Sequence, residues 1–123
     1  MDKQTLVRAI GVSGVAFGAA ALLAPAAVGT AYGLPVNDTA RYLGRQWGTR
    51  TAAMNALGLM NPDNAMIDRH LMIGVGMNLV DATCSVIAGQ KGQVPRRAAY
   101  KSAATSAMFA VLCAYTRSLD LKR

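Results

Sequence analysis

The chain of 123 residues has room for one domain. Hydrophobic residues make up 53% of it and charged residues 15%, whereas soluble domains average about 25% charged residues. Glu is absent, so the chain lacks the Glu and Lys pairs that cover the outer faces of soluble helical domains, and lipid is the better candidate for its outer solvent.

The net charge of +7 would suit a nucleic acid, but the distribution of the basic residues favours a membrane surface. No run of bases alternates with aromatic residues, so we expect no nucleic-acid partner. Basic residues lie near the termini and in the 91–101 connection, where membrane proteins keep cations for lipid phosphates, and they include Lys3, Arg8, Lys91, Arg96, Arg97, Lys122 and Arg123.

The first predicted helix covers about residues 5–31, and no charge appears from Ala9 to Asn37. That stretch is longer than the roughly 20 residues needed to cross a bilayer, and longer than the usual apolar core of a secretory signal peptide. Pro25 is expected to kink or end the helix. A strip of small residues on one side predicts close packing against another helix: Gly11, Gly14, Gly18 and Ala21.

The second predicted helix covers residues 38–60, with Asp38 as its N-cap. Arg41 and Arg45 share one face of this helix, and Arg50 points nearly the opposite way. Because charged side chains are costly in lipid, such a helix must lie among other helices or partly at the membrane interface.

The third predicted helix, about residues 65–89, follows a tight turn at residues 61–64, "NPDN". Helical periodicity separates an apolar face from a polar stripe. The apolar face holds Leu71, Val75, Leu79, Ala82 and Val86, and the polar stripe holds His70, Gly74, Asn78, Asp81 and Ser85. The carboxylate of Asp81 therefore points away from lipid.

The fourth predicted helix, about residues 96–118, has no charge from Ser102 to Thr116, and its small residues Ser102, Ser106 and Cys113 form a face suited to packing. The fold is thus predicted to be all-α, a single four-helix transmembrane bundle over residues 1–123. Because Cys113 and Cys84 form no CxxC motif and the chain has one His, we expect no metal site and no cofactor.

A bare carboxylate inside a bilayer is costly, so Asp81 needs a proton or a cationic partner. The short turn makes helices two and three antiparallel neighbours. The rise per residue places Asp81 at about the depth of Arg45, with Arg50 about one turn shallower. We predict an ion pair of Asp81 with Arg45 or Arg50.

The same register places His70 beside Asn55, so these groups form a predicted polar pocket. Its binding residues are Arg45, Arg50, Trp47, Asn55, His70 and Asn78. The alternative is structural: a buried ion pair can serve only to fix helix register, and His70, beside Asp68 and Arg69, can lie at the membrane surface. Ionisable residues within membranes are by default functional, which keeps the pocket as a candidate site.

The segments "LLAPAAVGTAYGLP", "WGTRTAAMNALGL" and "NLVDATCSVIAG" resemble, in order and spacing, a family of small four-helix integral membrane proteins of unknown function. That family is distantly similar to DoxX-like proteins. Its pattern falls on Pro25, Gly33, Pro35, Gly48, Arg50 and Asp81. The resemblance implies four transmembrane helices and favours Arg50 as the partner of Asp81, but it implies no activity. The position after the arginine, usually acidic or polar in that family, is Thr51 here.

Three functions fit these features. The first, which we favour, is a non-enzymatic membrane protein that binds a lipid-like small molecule or a membrane partner. The second is a membrane-embedded isomerase, cyclase or epoxide-opening enzyme, with Asp81 as general acid or base and with His70 and Asn78 orienting the substrate. The third is a proton-coupled carrier using Asp81, which at this chain length requires a homodimer. In each case the expected location is the lipid bilayer of a bacterial inner membrane.

Overall fold

The computed structural model describes residues 1–60 and 63–119. Five helices follow in chain order: α1 at Lys3–Leu23, α2 at Pro25–Tyr32, α3 at Asp38–Met60, α4 at Asn64–Gln90 and α5 at Arg96–Ser118. Every regular element in this part of the chain is an α-helix, so the predicted all-α class is confirmed. The first half of the turn predicted at 61–64 lies outside the described residues, as do Lys122 and Arg123.

Two helices, α1 and α2, occupy the region where the sequence predicts one helix. Pro25 causes the break, because proline has no N–H to donate and its ring clashes with the preceding turn. Proline is well suited to the first turn of a helix, and it begins α2. The left-handed Gly33, with φ of +77°, ends α2. Five helices therefore replace the predicted four.

The antiparallel helices α1 and α3 pack through glycines. The predicted small-residue strip of α1 is buried at all four positions: Gly11, Gly14, Gly18 and Ala21. At the closest approach Gly18 faces Gly48, where an added Cβ would lie 2.5 Å from the carbonyl oxygen of Gly18. The absence of side chains thus allows the two backbones to touch, as the strip predicts.

The second antiparallel pair is formed by α4 and α5. Gly89 of α4 lies against Ala99 of α5 near the connection between the two helices. Further along, Ser85 Oγ donates a hydrogen bond to Ser102 Oγ at 3.2 Å. Small side chains hold this pair together, as glycines hold the first.

Polar contacts join the two pairs of helices. Arg50 of α3 contacts Asp81 of α4, and Tyr32 of α2 donates a hydrogen bond to Thr105 of α5 at 3.2 Å. The expectation that Lys3 contacts lipid phosphates is wrong. Its side chain is buried and pairs with Asp68 of α4, because the start of α1 packs beside the start of α4.

Two of the helices, α1 and α4, are long and apolar enough to cross a membrane. Large apolar side chains are exposed on each of the four long helices. Examples are Val12 and Leu23 on α1, Leu43 and Leu57 on α3, Leu79 and Val80 on α4, and Met108 and Val111 on α5.

Candidate functional site

A cavity of about 420 Å³ is lined by residues from all five helices. This volume lies within the range of about 300–1,000 Å³ that is usual for small-molecule sites. The cavity confirms that the polar stripe of α4 points inward, because all five stripe residues line it: His70, Gly74, Asn78, Asp81 and Ser85. The predicted small face of α5 also lines it, through Ser102, Ser106 and Cys113.

The charged centre of the cavity is one ion pair. Nη2 of Arg50 donates to Oδ2 of Asp81 at 3.2 Å. The Arg50 side chain is 46% exposed and that of Asp81 is 35% exposed, so a molecule in the cavity could reach both groups. Of the two arginines predicted as partners of Asp81, it is Arg50 that forms the ion pair.

Arg45 does not belong to this site. Its side chain is exposed, and it is absent from the residues that line the cavity. The depth estimate that placed Arg45 level with Asp81 treated α3 and α4 as closely packed neighbours, whereas α3 packs mainly against α1 and α4 mainly against α5. The long side chain of Arg50 reaches Asp81 instead.

His70 of α4 lies against α3 near the end of that helix. Its imidazole packs against Gly58, where an added Cβ would lie 2.5 Å from Nε2. Asn55, the predicted neighbour of His70, lies one helical turn earlier and packs against Gly14 of α1. Both side chains line the same cavity, and a direct contact between His70 and Asn55 stays a prediction.

Aromatic rings form one wall of the cavity. Trp47 and Tyr32 each meet the ring of Phe17 edge to face, with centroids 5.5 and 6.1 Å from it. Trp47 also lines a smaller cavity of about 240 Å³ among α1, α2 and α3. Trp47, which the sequence predicts to line the pocket, therefore lies between two cavities.

Several neutral polar side chains of the cavity donate hydrogen bonds to backbone carbonyls of their own helices. The Nδ2 groups of Asn55 and Asn78 donate to the carbonyls of Thr51 and Gly74, each at 2.8 Å. Their amide oxygens remain as acceptors. The hydroxyl of Thr105 donates to the carbonyl of Lys101 at 2.9 Å.

Some lining residues could not be identified from sequence periodicity within single helices. Phe17, Tyr32, Met54, Met77, Thr105 and Phe109 line the cavity, and only the three-dimensional packing brings them together. Within residues 1–60 and 63–119, no three His, Cys, Asp or Glu side chains are grouped so that they could hold a metal ion.

No family model, curated protein or solved structure matches the chain. The resemblance to DoxX-like proteins therefore stays a prediction. The class that the fold and the cavity define is an all-α protein with two helices suited to crossing a membrane and a cavity between its helices that is lined by an ion pair.

Proposed function

We propose that this chain is a small integral membrane protein, a transmembrane helical bundle of a bacterial plasma membrane, that binds a lipid-like small molecule. The observation that carries the proposal is the cavity itself, which combines aromatic and aliphatic walls with the Arg50–Asp81 ion pair. Ligand sites typically have such mostly apolar walls with a few polar groups that fix orientation.

The exposure of α4 supports a membrane location. Only 6% of its most apolar 18-residue window is buried, whereas the core helix of a soluble protein buries most of such a window. Side chains such as Met72, Ile73, Leu79 and Val80 are exposed instead. An exposed apolar surface of this length suits contact with lipid tails.

The distribution of charge supports the same location for the remaining long helices. The segment 9–23 of α1 and the segment 102–116 of α5 carry no charge. Each would cover about 22 Å along a helix axis, most of the hydrocarbon thickness. The charges at mid-helix, Arg50 and Asp81, are at the cavity. On this basis α1, α3, α4 and α5 form the four-helix transmembrane bundle, and α2 is a short segment at one end.

A binding role is favoured over catalysis by the surroundings of Asp81. Within the part of the chain that the structure describes, the one side chain that hydrogen-bonds its carboxylate is Arg50. Acid–base enzymes usually position a second titratable or nucleophilic group within hydrogen-bond reach.

An enzyme is the second candidate, because Asp81 lines an apolar cavity with Asn78 about one turn away on the same helix. In that case an isomerase, cyclase or epoxide-opening reaction would use Asp81 as general acid or base. Conversion of the bound compound by wild-type protein, lost in Asp81→Asn with binding retained, would identify the enzyme.

The binding proposal is tested by identifying what the purified protein carries. The protein is extracted from membranes in a mild detergent, and bound small molecules are identified by mass spectrometry. Ser106, which lines the cavity, is replaced by Phe to fill it, and exposed Ala107 is replaced by Phe as the matched control. Circular dichroism confirms that both variants are folded.

We expect a defined compound on the wild-type protein and on Ala107→Phe. The amount on Ser106→Phe should fall by about tenfold or more, which corresponds to a loss of about 1.4 kcal/mol of binding free energy. Equal amounts on all three proteins would show that the compound is bulk lipid outside the cavity and would contradict the proposal.

A further inference from the structure

We infer that the cavity selects an uncharged apolar molecule that carries one hydroxyl group. This inference rests on the proposed function and names the chemical class of its ligand. Two features of the site carry it: the charge balance of the cavity lining and the incomplete hydrogen bonding of the Arg50–Asp81 pair.

The charges of the cavity lining cancel. Of the side chains that line it, those charged at pH 7 are Arg50 and Asp81, with His70 counted as neutral. A carboxylate or ammonium group on the ligand would therefore bring an unbalanced charge into a space with apolar walls. Removing such a charge from water is strongly unfavourable without a partner of its own. An uncharged ligand avoids this cost.

The geometry of the ion pair leaves hydrogen-bonding capacity on both partners. A bidentate arginine–carboxylate fork uses two N–H donors and both carboxylate oxygens. Here one contact is made, from Nη2 of Arg50 to Oδ2 of Asp81 at 3.2 Å. In residues 1–60 and 63–119, no other group hydrogen-bonds the Asp81 carboxylate, so Oδ1 is available as an acceptor.

The pair therefore presents a donor and an acceptor side by side. A hydroxyl group can accept from Arg50 and donate to Asp81 at the same time. A carboxylate can only accept, and an ammonium group can only donate, so each would satisfy one partner and repel the other. The hydroxyl is the simplest uncharged group that complements both.

The rest of the cavity matches an apolar body. Phe17, Met54, Met77 and Phe109 contribute large apolar side chains from four different helices. Asn55 and Asn78 each donate one amide N–H to a backbone carbonyl of their own helix. Arg50 is the one cationic donor among the lining side chains and lies beside the anionic acceptor Asp81, which places the polar end of the ligand there.

The test uses the single tryptophan of the chain as a reporter. Trp47 lines the cavity one helical turn before Arg50, so a bromine atom on a bound chain should quench its fluorescence. The protein in lipid nanodiscs is titrated with dodecanol, dodecanoate and dodecylammonium, each brominated at the same two mid-chain carbons. Saturable quenching that the unbrominated compound displaces, and that Ser106→Phe removes, measures binding in the larger cavity rather than in the smaller one or partition into lipid.

We expect the alcohol to bind at least about tenfold more tightly than either ion, since a misplaced charge loses at least one charge-assisted hydrogen bond. An ion that binds as tightly as the alcohol would overturn the inference and leave the proposed function intact. Saturable quenching by none of the three would overturn both.

Charge-changing variants provide the second part of the test. In Asp81→Asn the cavity becomes positive, and the preference should change to dodecanoate. In Arg50→Gln it becomes negative, and the preference should change to dodecylammonium. The double variant Arg50→Gln/Asp81→Asn is neutral again and should return to the alcohol.

The control for these variants is the ion pair at the start of α3, between Asp38 and Arg41, which lies outside the cavity lining. Asp38→Asn and Arg41→Gln change the net charge equally and should keep the preference for the alcohol. A preference that stays unchanged in both Asp81→Asn and Arg50→Gln would overturn the inference. If one of these variants does not fold, the wild-type titrations and the double variant still decide the outcome.

Discussion

Lys3, at the start of α1, donates from Nζ to Oδ1 of Asp68 on α4 across 2.6 Å. The Lys3 side chain is 3% exposed, whereas that of Asp68 is 36% exposed. This ion pair joins α1, which belongs to the first pair of helices, directly to α4 of the second pair. The ammonium group depends on this carboxylate, because water has little access to it.

Asp68→Asn should therefore destabilise the protein by about 1–3 kcal/mol, since the substitution leaves a buried ammonium group without its counter-charge. Thermal unfolding in detergent, followed by circular dichroism, measures the change. Asp38→Asn is the control, because the Asp38–Arg41 pair is exposed and such pairs contribute less than about 1 kcal/mol.

The double variant Lys3→Met/Asp68→Leu separates the cost of an unpaired charge from the value of the pair itself. Replacement of a buried ion pair by apolar side chains is often neutral or stabilising. We expect the double variant to melt within a few degrees of the wild type, well above Asp68→Asn. A double variant as unstable as the single one would show that the pair itself stabilises the junction of α1 and α4.

The contact between α1 and α3 gives a second prediction. An added Cβ at Gly48 would lie 2.5 Å from the carbonyl oxygen of Gly18, so Gly48→Ala must push the two backbones apart. Overpacking of this kind costs about 1–3 kcal/mol. At Gly76 of α4 an added Cβ meets nothing within 4 Å, and Gly76→Ala should stabilise by about 0.5–1 kcal/mol through helix propensity. If Gly48→Ala and Gly76→Ala shifted the melting temperature in the same direction, the close packing at Gly48 would be contradicted.

The features that could be predicted from the sequence are those that depend on periodicity within one helix. The glycine strip of α1 and the polar stripe of α4 each follow from the helical repeat, and each faces the partner or cavity that its composition suggests. The position of the break at Pro25 also follows from local chemistry, although the sequence could not decide between a kink and an end.

The features that could not be predicted depend on how helices cross. The choice of Arg50 over Arg45 for Asp81 is a difference of five positions along α3, and it depends on how the pair of α1 and α3 is placed against the pair of α4 and α5. The Lys3–Asp68 pair joins residues 65 positions apart in the chain, and no local pattern connects them. Arg50 and Asp81 line the cavity, so the composition of its lining depends on the first of these relationships.

Asp81 and Asp63 provide a third prediction, because both lie in or beside α4 with different partners. Asp81→Asn removes the counter-charge of the partly exposed Arg50 and should destabilise by about 1 kcal/mol. Asp63 is the N-cap of α4, where it accepts a hydrogen bond from the Ala65 N–H at 3.2 Å. Asparagine caps helices about as well as aspartate, so Asp63→Asn should be nearly neutral. Small, equal shifts in melting temperature from both substitutions would refute the importance of the Arg50–Asp81 pair.

The two cysteines test access to the cavity without any change to the ion pair. Both Cys84 and Cys113 line the cavity, but Cys84 is exposed and Cys113 is buried beside Gly74. A small maleimide should therefore modify Cys84 first, because alkylation requires an accessible thiol. Mass spectrometry of the wild type and of Cys84→Ser assigns the modified residue.

A bound molecule should slow this modification by occupying the space next to the Cys84 thiol. The matched control is Ala107→Cys in a variant in which both native cysteines are replaced by Ser, since residue 107 is exposed beside the cavity residue Ser106 without lining the cavity. Dodecanol should protect Cys84 and leave the introduced cysteine at 107 fully reactive. Equal protection at both positions would mean that the alcohol acts through the surrounding lipid, and no protection at either would mean that the cavity does not hold it.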